Sequence, residues 1–303
     1  MPQLKANGVS LEYDSFGRET DPTILLIMGF SGQMILWPLA LCEGLAAKGF
    51  RVVRFDNRDI GLSERLDHLG SVSIGEAFAK VAAGQKVEAP YTLDHMAEDA
   101  AGVLDALDIA DAHIVGASMG GMIAQVLAIR HAPRVRSLTS IMSTTGRPGL
   151  PQGKPEALAA LTTSPANAER DTRIAQSIRV WRAIGSQPVY AADDAELREL
   201  SEKLVDRGPY HPAGVARQLV AILASEPRHE RLNNVACPAL VLHGEDDPLV
   251  DIAGGRDTAA CIPGARLVTV PGMGHDFTSK LVPVFLREIG GFVAEVEARR
   301  KAA

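Results

Sequence analysis

The chain has 303 residues, 46% of them hydrophobic and 22% charged, with a formal net charge of -6. This composition can bury a large core and excludes extended disorder, and an acidic balance with scattered Lys and Arg excludes a nucleic-acid footprint. No segment has the apolar length to cross a bilayer and Met1 to Gly8 lack a signal-peptide core, so a cytoplasmic protein without a membrane partner is expected.

In chain order, Val9 to Asp14 alternates polar and apolar residues as an edge strand does. Thr23 to Met28 is nearly continuous in apolar residues and reads as a central strand. Helical patterning from Trp37 to Lys48 leads into a strand at Arg51 to Asp56, so the sheet starts antiparallel and turns parallel. The stretch from Ser63 to Tyr91 reads as a loop near the site with a short helix around Glu76 to Ala83. A helix from Leu93 to Leu107 precedes the strand Ala112 to Val115, and a helix at Met122 to Ile129 follows it. Val135 to Met142, Pro238 to His243 and Ala265 to Val270 complete a set of parallel-sheet strands.

Between the strands at 135–142 and 238–243 the rhythm breaks. Gly146-Arg147-Pro148-Gly149-Leu150-Pro151 opens a segment with only helical patterns, at Asn167 to Ile184, Asp194 to Asp206 and Gly214 to Ser225. The expected organisation is therefore a core at 1–145 and 233–303, interrupted by a helical cap at 146–232.

The chemistry concentrates at three strand ends. Gly116-Ala117-Ser118-Met119-Gly120 puts a serine between two glycines where a buried strand gives way to a helix, which is a nucleophile-elbow signature. A serine hydroxyl is a weak nucleophile and needs a base oriented by an acid. Downstream, Gly244-Glu245-Asp246-Asp247 supplies carboxylates in a turn at a strand's end, and Gly272-Met273-Gly274-His275 supplies a histidine in a loop after the last strand. The order serine, acid, histidine is that of the α/β-hydrolase fold. Cys42, Cys237 and Cys261 are widely spaced among apolar neighbours and read as reduced packing residues. Neither they nor the eight histidines form a metal-ligand spacing, so neither metal nor cofactor is expected.

Together with Met28-Gly29-Phe30 and Asp56-Asn57-Arg58-Asp59-Ile60-Gly61-Leu62-Ser63, these motifs resemble an α/β-hydrolase-fold serine hydrolase with a helical cap. Within that fold they are similar to aclacinomycin methylesterase and its bacterial carboxylesterase relatives, with Met28 where the commoner pattern has His-Gly. The resemblance implies a mostly parallel sheet with helices on both faces. It also implies a Ser118, Asp247 and His275 triad, with Asp246 as the alternative acid. The Phe30 and Met119 backbone N–H groups would then form the oxyanion hole. His243, His95 and His131 read as structural, surface or packing residues. Asp56 and Arg58 read as braces of the loop beside the elbow, and Asp276 as a local hydrogen-bonding residue.

Around this site the chain offers Phe30, Met34, Trp37, Met119, Met273 and Phe277 from the core, with Trp181, Tyr190, Tyr210 and His211 from the cap. Of these, Met34, Trp37, Trp181 and Tyr210 are the candidate substrate contacts, suited to a hydrophobic, aromatic ester as the small-molecule partner. The same triad serves lactone, thioester, amide or C–C bond cleavage, and a ligand receptor on a hydrolase fold is the alternative of another class. The sequence leaves a homodimer open.

Overall fold

The computed structural model describes residues 2–302. Eight strands form one sheet: β1 (Gln3–Ala6), β2 (Val9–Phe16), β3 (Thr23–Ile27), β4 (Arg51–Phe55), β5 (Ala112–Ala117), β6 (Val135–Ile141), β7 (Ala239–Gly244) and β8 (Arg266–Val270). Their spatial order is β1-β2-β4-β3-β5-β6-β7-β8. The β1–β2 and β2–β4 pairs are antiparallel and every later pair is parallel.

Ten α-helices accompany the strands among the described residues: α1 (Leu39–Ala46), α2 (Ile74–Ala82), α3 (Leu93–Ala106), α4 (Met119–Arg130), α5 (Pro155–Thr162), α6 (Arg170–Ile184), α7 (Asp194–Arg207), α8 (Pro212–Ala224), α9 (Ile252–Cys261) and α10 (Val282–Ala302). The central strands are apolar throughout because both sheet faces are covered. Along β3, Leu25 and Ile27 face a core shared with α3 and α4, whereas Ile24 and Leu26 face one shared with α1 and α10. Among the described residues no helix is long and apolar enough to cross a membrane.

The segment between β6 and β7 holds α5 to α8 and no strand. Helix α2 stands where a short helix was expected within the 63–91 stretch, with Ala77 buried and Phe78 and Val81 exposed. β1 and the helices α5, α9 and α10 add to the elements read from the sequence. The fold places the carboxyl ends of β3, β5, β7 and β8 at one edge of the sheet, and each sequence motif that carries chemistry sits at one of them.

Candidate active site

Ser118 joins β5 to α4 with φ 55° and ψ -121°, a conformation that costs a non-glycine residue about 1–3 kcal/mol and must be held by its surroundings. It is held on both sides. Its N–H donates to the Ile141 carbonyl at 2.9 Å, and its carbonyl accepts from Ser143 Oγ at 2.8 Å and from Gly121 N at 2.9 Å. The flanking glycines are steric requirements: a Cβ on Gly116 would strike the Gly120 carbonyl, and one on Gly120 would strike the Ile27 carbonyl. Beside Ser118, the Met119 N–H opens α4 and has no acceptor among the described residues, and neither has the Phe30 N–H in the loop after β3.

Asp247 follows β7, with its side chain fully buried. Oδ1 accepts the Leu249 and Val250 N–H groups, both at 2.9 Å, and Oδ2 accepts His275 Nδ1–H at 2.8 Å. Four carboxylate lone-pair directions are thus largely spoken for by donors that fix the group's plane. Asp246 points elsewhere and accepts the Gly272 N–H. His243 lies against the acid, 3.6 Å from Asp247 Oδ2, and donates through Nε2 to the Val250 carbonyl at 2.9 Å. Burial pushes the His243 pKa down, so the ring is a neutral wedge behind the acid.

Three further hydrogen bonds anchor the histidine loop to the end of α6 and the segment after it. The His275 N–H donates to the Ile184 carbonyl at 2.8 Å, and Asp276 accepts both the Ser186 N–H and hydroxyl. The loop after β3 is anchored likewise. Ser31 N–H donates to Gln218 Oε1 at 3.0 Å, Gln33 Nε2 donates to the Leu204 carbonyl at 2.7 Å, and Met34 N–H donates to Asp56 Oδ1 at 2.7 Å. Asp56 Oδ2 accepts Arg207 Nη1 from α7 at 2.7 Å, while Arg58 makes two 2.6 Å bonds to Asp99. Asp59 receives Arg217 of α8 at 2.8 and 2.7 Å together with the Tyr91 hydroxyl. Gln218 and Arg207 were invisible to sequence reasoning because their partners lie 187 and 151 residues away.

Ser118 borders two cavities, of about 300 and 590 Å³. His275 lines the smaller one with Phe30, Trp181, Tyr210 and Phe277, so Trp181 and Tyr210 stand where substrate contact was expected. Met34 and Trp37 do not. Residues 34–36 form a 3-10 turn ahead of α1, which drives both side chains into the core, fully buried, and turns Leu36 toward the cavity instead. Trp37 stacks behind Phe277 at 4.7 Å between ring centroids, which supports a cavity wall without forming it. Met273 is likewise core. His211 is engaged with Asp59 and Asp67, and Tyr190 packs on the core beneath. The larger cavity opens between α2, α5 and α8 past the exposed Phe78, Val81 and Leu158. Among the described residues no cluster of three His, Cys, Asp or Glu is arranged to hold a metal ion.

A mostly parallel sheet carrying a strained serine elbow, with a histidine–aspartate pair at its carboxyl edge, defines the class of α/β hydrolases. The chain belongs to the alpha/beta hydrolase fold family, whose profile matches residues 22–278. It is 30% identical over 289 residues to rhodomycin D methylesterase DnrP of Streptomyces peucetius, covering 88% of this chain and 89% of that protein. With the corresponding methylesterase DauP of Streptomyces sp. strain C5 the identity is 28%, over 88% and 89%. The enol-lactonase of Burkholderia xenovorans LB400 superposes with a TM-score of 0.70 at 26% identity, covering 97% of this chain and all of that one. These likenesses bear out the resemblance to bacterial methylesterases drawn from the motifs.

Proposed function

We propose that this hydrolase is a cofactor-independent serine carboxylic-ester hydrolase for hydrophobic esters, with residues 146–232 as its cap. The observation that carries the reading is the 2.8 Å bond from His275 Nδ1 to Asp247 Oδ2, with His275 and Ser118 lining one cavity. In this reading Asp247 fixes the imidazole tautomer, leaving Nε2 free to accept a proton. Ser118 Oγ attacks the ester carbonyl carbon as His275 Nε2 takes the hydroxyl proton. The oxyanion is received by the unengaged Phe30 and Met119 N–H groups, the latter at a helix N-terminus. Collapse breaks the bond to the alkoxy oxygen, which takes the proton from His275 and departs as alcohol, leaving acyl-Ser118. Water then loses a proton to His275 and attacks the acyl carbon, and the proton returns to Ser118 as the acid leaves.

The aromatic lining and the relatives named as methylesterases support an aromatic methyl ester as substrate. The likeness to an enol-lactonase favours a second use of the same steps, on a cyclic ester. Intact-mass analysis after exposure to a fluorophosphonate tests the nucleophile without a known substrate. One adduct on the wild type and none on Ser118→Ala is expected, and an unlabelled wild type overturns the assignment.

A further inference from the structure

Away from Ser118 and His275 the smaller cavity is mostly apolar, but one wall is rich in hydrogen-bond donors. Arg173 and Ser177 lie one turn apart on α6, and Tyr210 comes from the loop before α8. The Arg173 guanidinium sits 5.4 Å above the Tyr210 ring. Only its Nη2 is engaged, donating to the Val205 and Gly208 carbonyls at 3.4 and 3.1 Å. Its Nε and Nη1 have no partner among the described residues, and neither have the hydroxyls of Ser177 and Tyr210. Among the described residues no carboxylate lies within 4 Å of Arg173. The nearest acidic influence, Asp206, is held by two bonds to Arg170. The other polar residues of the wall are occupied: Gln176 Nε2 donates to the Ala160 and Thr163 carbonyls, and Gln33 bonds Leu204 and Arg207.

A guanidinium with no ion-pair partner of its own among the described residues, on the wall of a largely apolar cavity, attracts an anionic oxygen, and its open Nε and Nη1 can each donate a single charge-assisted hydrogen bond. Ser177, one turn along α6, and Tyr210, whose ring lies beneath the guanidinium, add two hydroxyl donors to the same cavity, so a carboxylate or phenolate seated beside Arg173 has more than one donor at hand while the apolar rest of its molecule lies against Trp181, Phe277 and Leu36. We infer that Arg173, with Ser177 and Tyr210, is an anion-recognition subsite that selects hydrophobic esters bearing a second, ionised oxygen group away from the scissile carbonyl. This rests on the ester-hydrolase reading for the reaction but not for the binding.

The probes are monomethyl esters of straight-chain dicarboxylic acids of five to ten carbons, each paired with its dimethyl ester. Both members present the same scissile group and differ in the distal charge. For the best-fitting chain length, wild type should prefer the half-ester, and its KM should rise with salt. In Arg173→Met the ratio of kcat/KM for half-ester over diester should fall by about 10- to 100-fold, the worth of a charge-assisted hydrogen bond. Arg173→Lys should recover part of that ratio. An unchanged ratio in Arg173→Met, or a salt-independent half-ester KM in wild type, overturns the subsite, and the second readout stands even if the variant fails to fold. Calorimetry of half-ester binding to Ser118→Ala separates the two readings. Binding that weakens in the Ser118→Ala, Arg173→Met double variant supports the subsite even if fluorophosphonate fails to label wild type, whereas equal binding by both variants overturns the subsite whatever the labelling result.

Discussion

Gln218→Met tests whether α8 holds the loop after β3, the proposed oxyanion loop, in its working position. Gln218 is fully buried on α8; its Oε1 accepts the Ser31 N–H at 3.0 Å and its Nε2 donates to the Arg58 carbonyl at 2.9 Å. Methionine has a similar length and volume, so the packing term stays small and the loss is that of two backbone groups left without partners. Each costs about 1–3 kcal/mol when fully buried, and Ser31 is only half-buried, so a combined loss of about 2–4 kcal/mol is expected. Ser31 follows Phe30 directly and takes a positive φ of 54°, a conformation that relaxes once its N–H is released. Relaxation moves the Phe30 N–H. Losing an oxyanion donor outright costs about 10²- to 10³-fold, so a displaced one should lower kcat by at least about tenfold with KM much less affected. Urea unfolding followed by circular dichroism gives the first number and steady-state ester hydrolysis the second. Ser137→Ala, which breaks a buried bond to His113 in the core, serves as the destabilised control. A destabilised Gln218→Met with wild-type kcat, or an equal fall in kcat for Ser137→Ala, would refute the coupling.

Asp247→Asn should lower kcat by about 10⁴-fold through the wrong imidazole tautomer, while Asp246→Asn, which disturbs only the Gly272 N–H contact, should stay within about tenfold; steady-state kinetics showing the reverse order would move the acid by one residue. Gly116→Ala should destabilise by more than about 4 kcal/mol because its methyl meets backbone that cannot give way. Gly75→Ala, where a Cβ in α2 meets open space, should instead stabilise by about 0.5–1 kcal/mol, and thermal melts of the pair decide both. Burial pulls the His113 pKa down to about 4 against the attraction of Glu297. The unfolded chain therefore binds this proton first as pH falls, and the contribution of His113 is complete above about 6.5 and lost between there and 4, roughly 3 kcal/mol in all. The stability gap between wild type and His113→Gln should shrink by that order from pH 7 to pH 4.5, and a gap that does not change with pH counts against the burial argument.

What could be read without coordinates was local. The elbow, the acid turn and the histidine loop each follow an apolar strand within a few residues, so strand pattern and turn chemistry find them together. The long helices of the cap came out within a few residues of their observed ends for the same reason. β1 escaped notice although its signal was present: Asn7 and Gly8 both have positive φ and turn Gln3–Ala6 back onto β2, the behaviour of an Asn-Gly hairpin. Helix α5 opens on Pro155 after a stretch dense in Gly and Pro, and the loop signal there masked it. Met34 and Trp37 failed for a subtler reason. Helical periodicity was carried back to Trp37, but the 3-10 turn at residues 34–36 rotates the side chains differently, and a one-residue phase error exchanges cavity wall for core. Arg173 raised no signal at all, because a lone arginine on a helix is ordinarily a solvated one; only its missing partner sets it apart.

The segment between β6 and β7, the proposed cap, forms part of the site's frame. Each strand-end loop that carries a candidate group is bonded to the segment between β6 and β7. The loop after β3 is bonded to Gln218 and to the Leu204 carbonyl, and the histidine loop to Ile184, Ser186 and Gln187. The turn after β7 is bonded through the Pro248 carbonyl to the Lys154 N–H. Loops alone are the least stable parts of a fold, and catalysis tolerates displacements well under 1 Å. A sheet can place the roots of these loops but not their tips, which extend beyond its last hydrogen-bonded rung. Part-buried bonds from a second layer supply that missing constraint, and the ion pairs Asp56–Arg207 and Asp59–Arg217 fix the second layer to the first beside the loop after β3. Because such pairs are costly to break singly but contribute little net stability, their worth here is in defining one relative position of cap and core. If the proposed cap selects substrate, selection and rate are then set by the same contacts, and a substitution that changes one should register in the other.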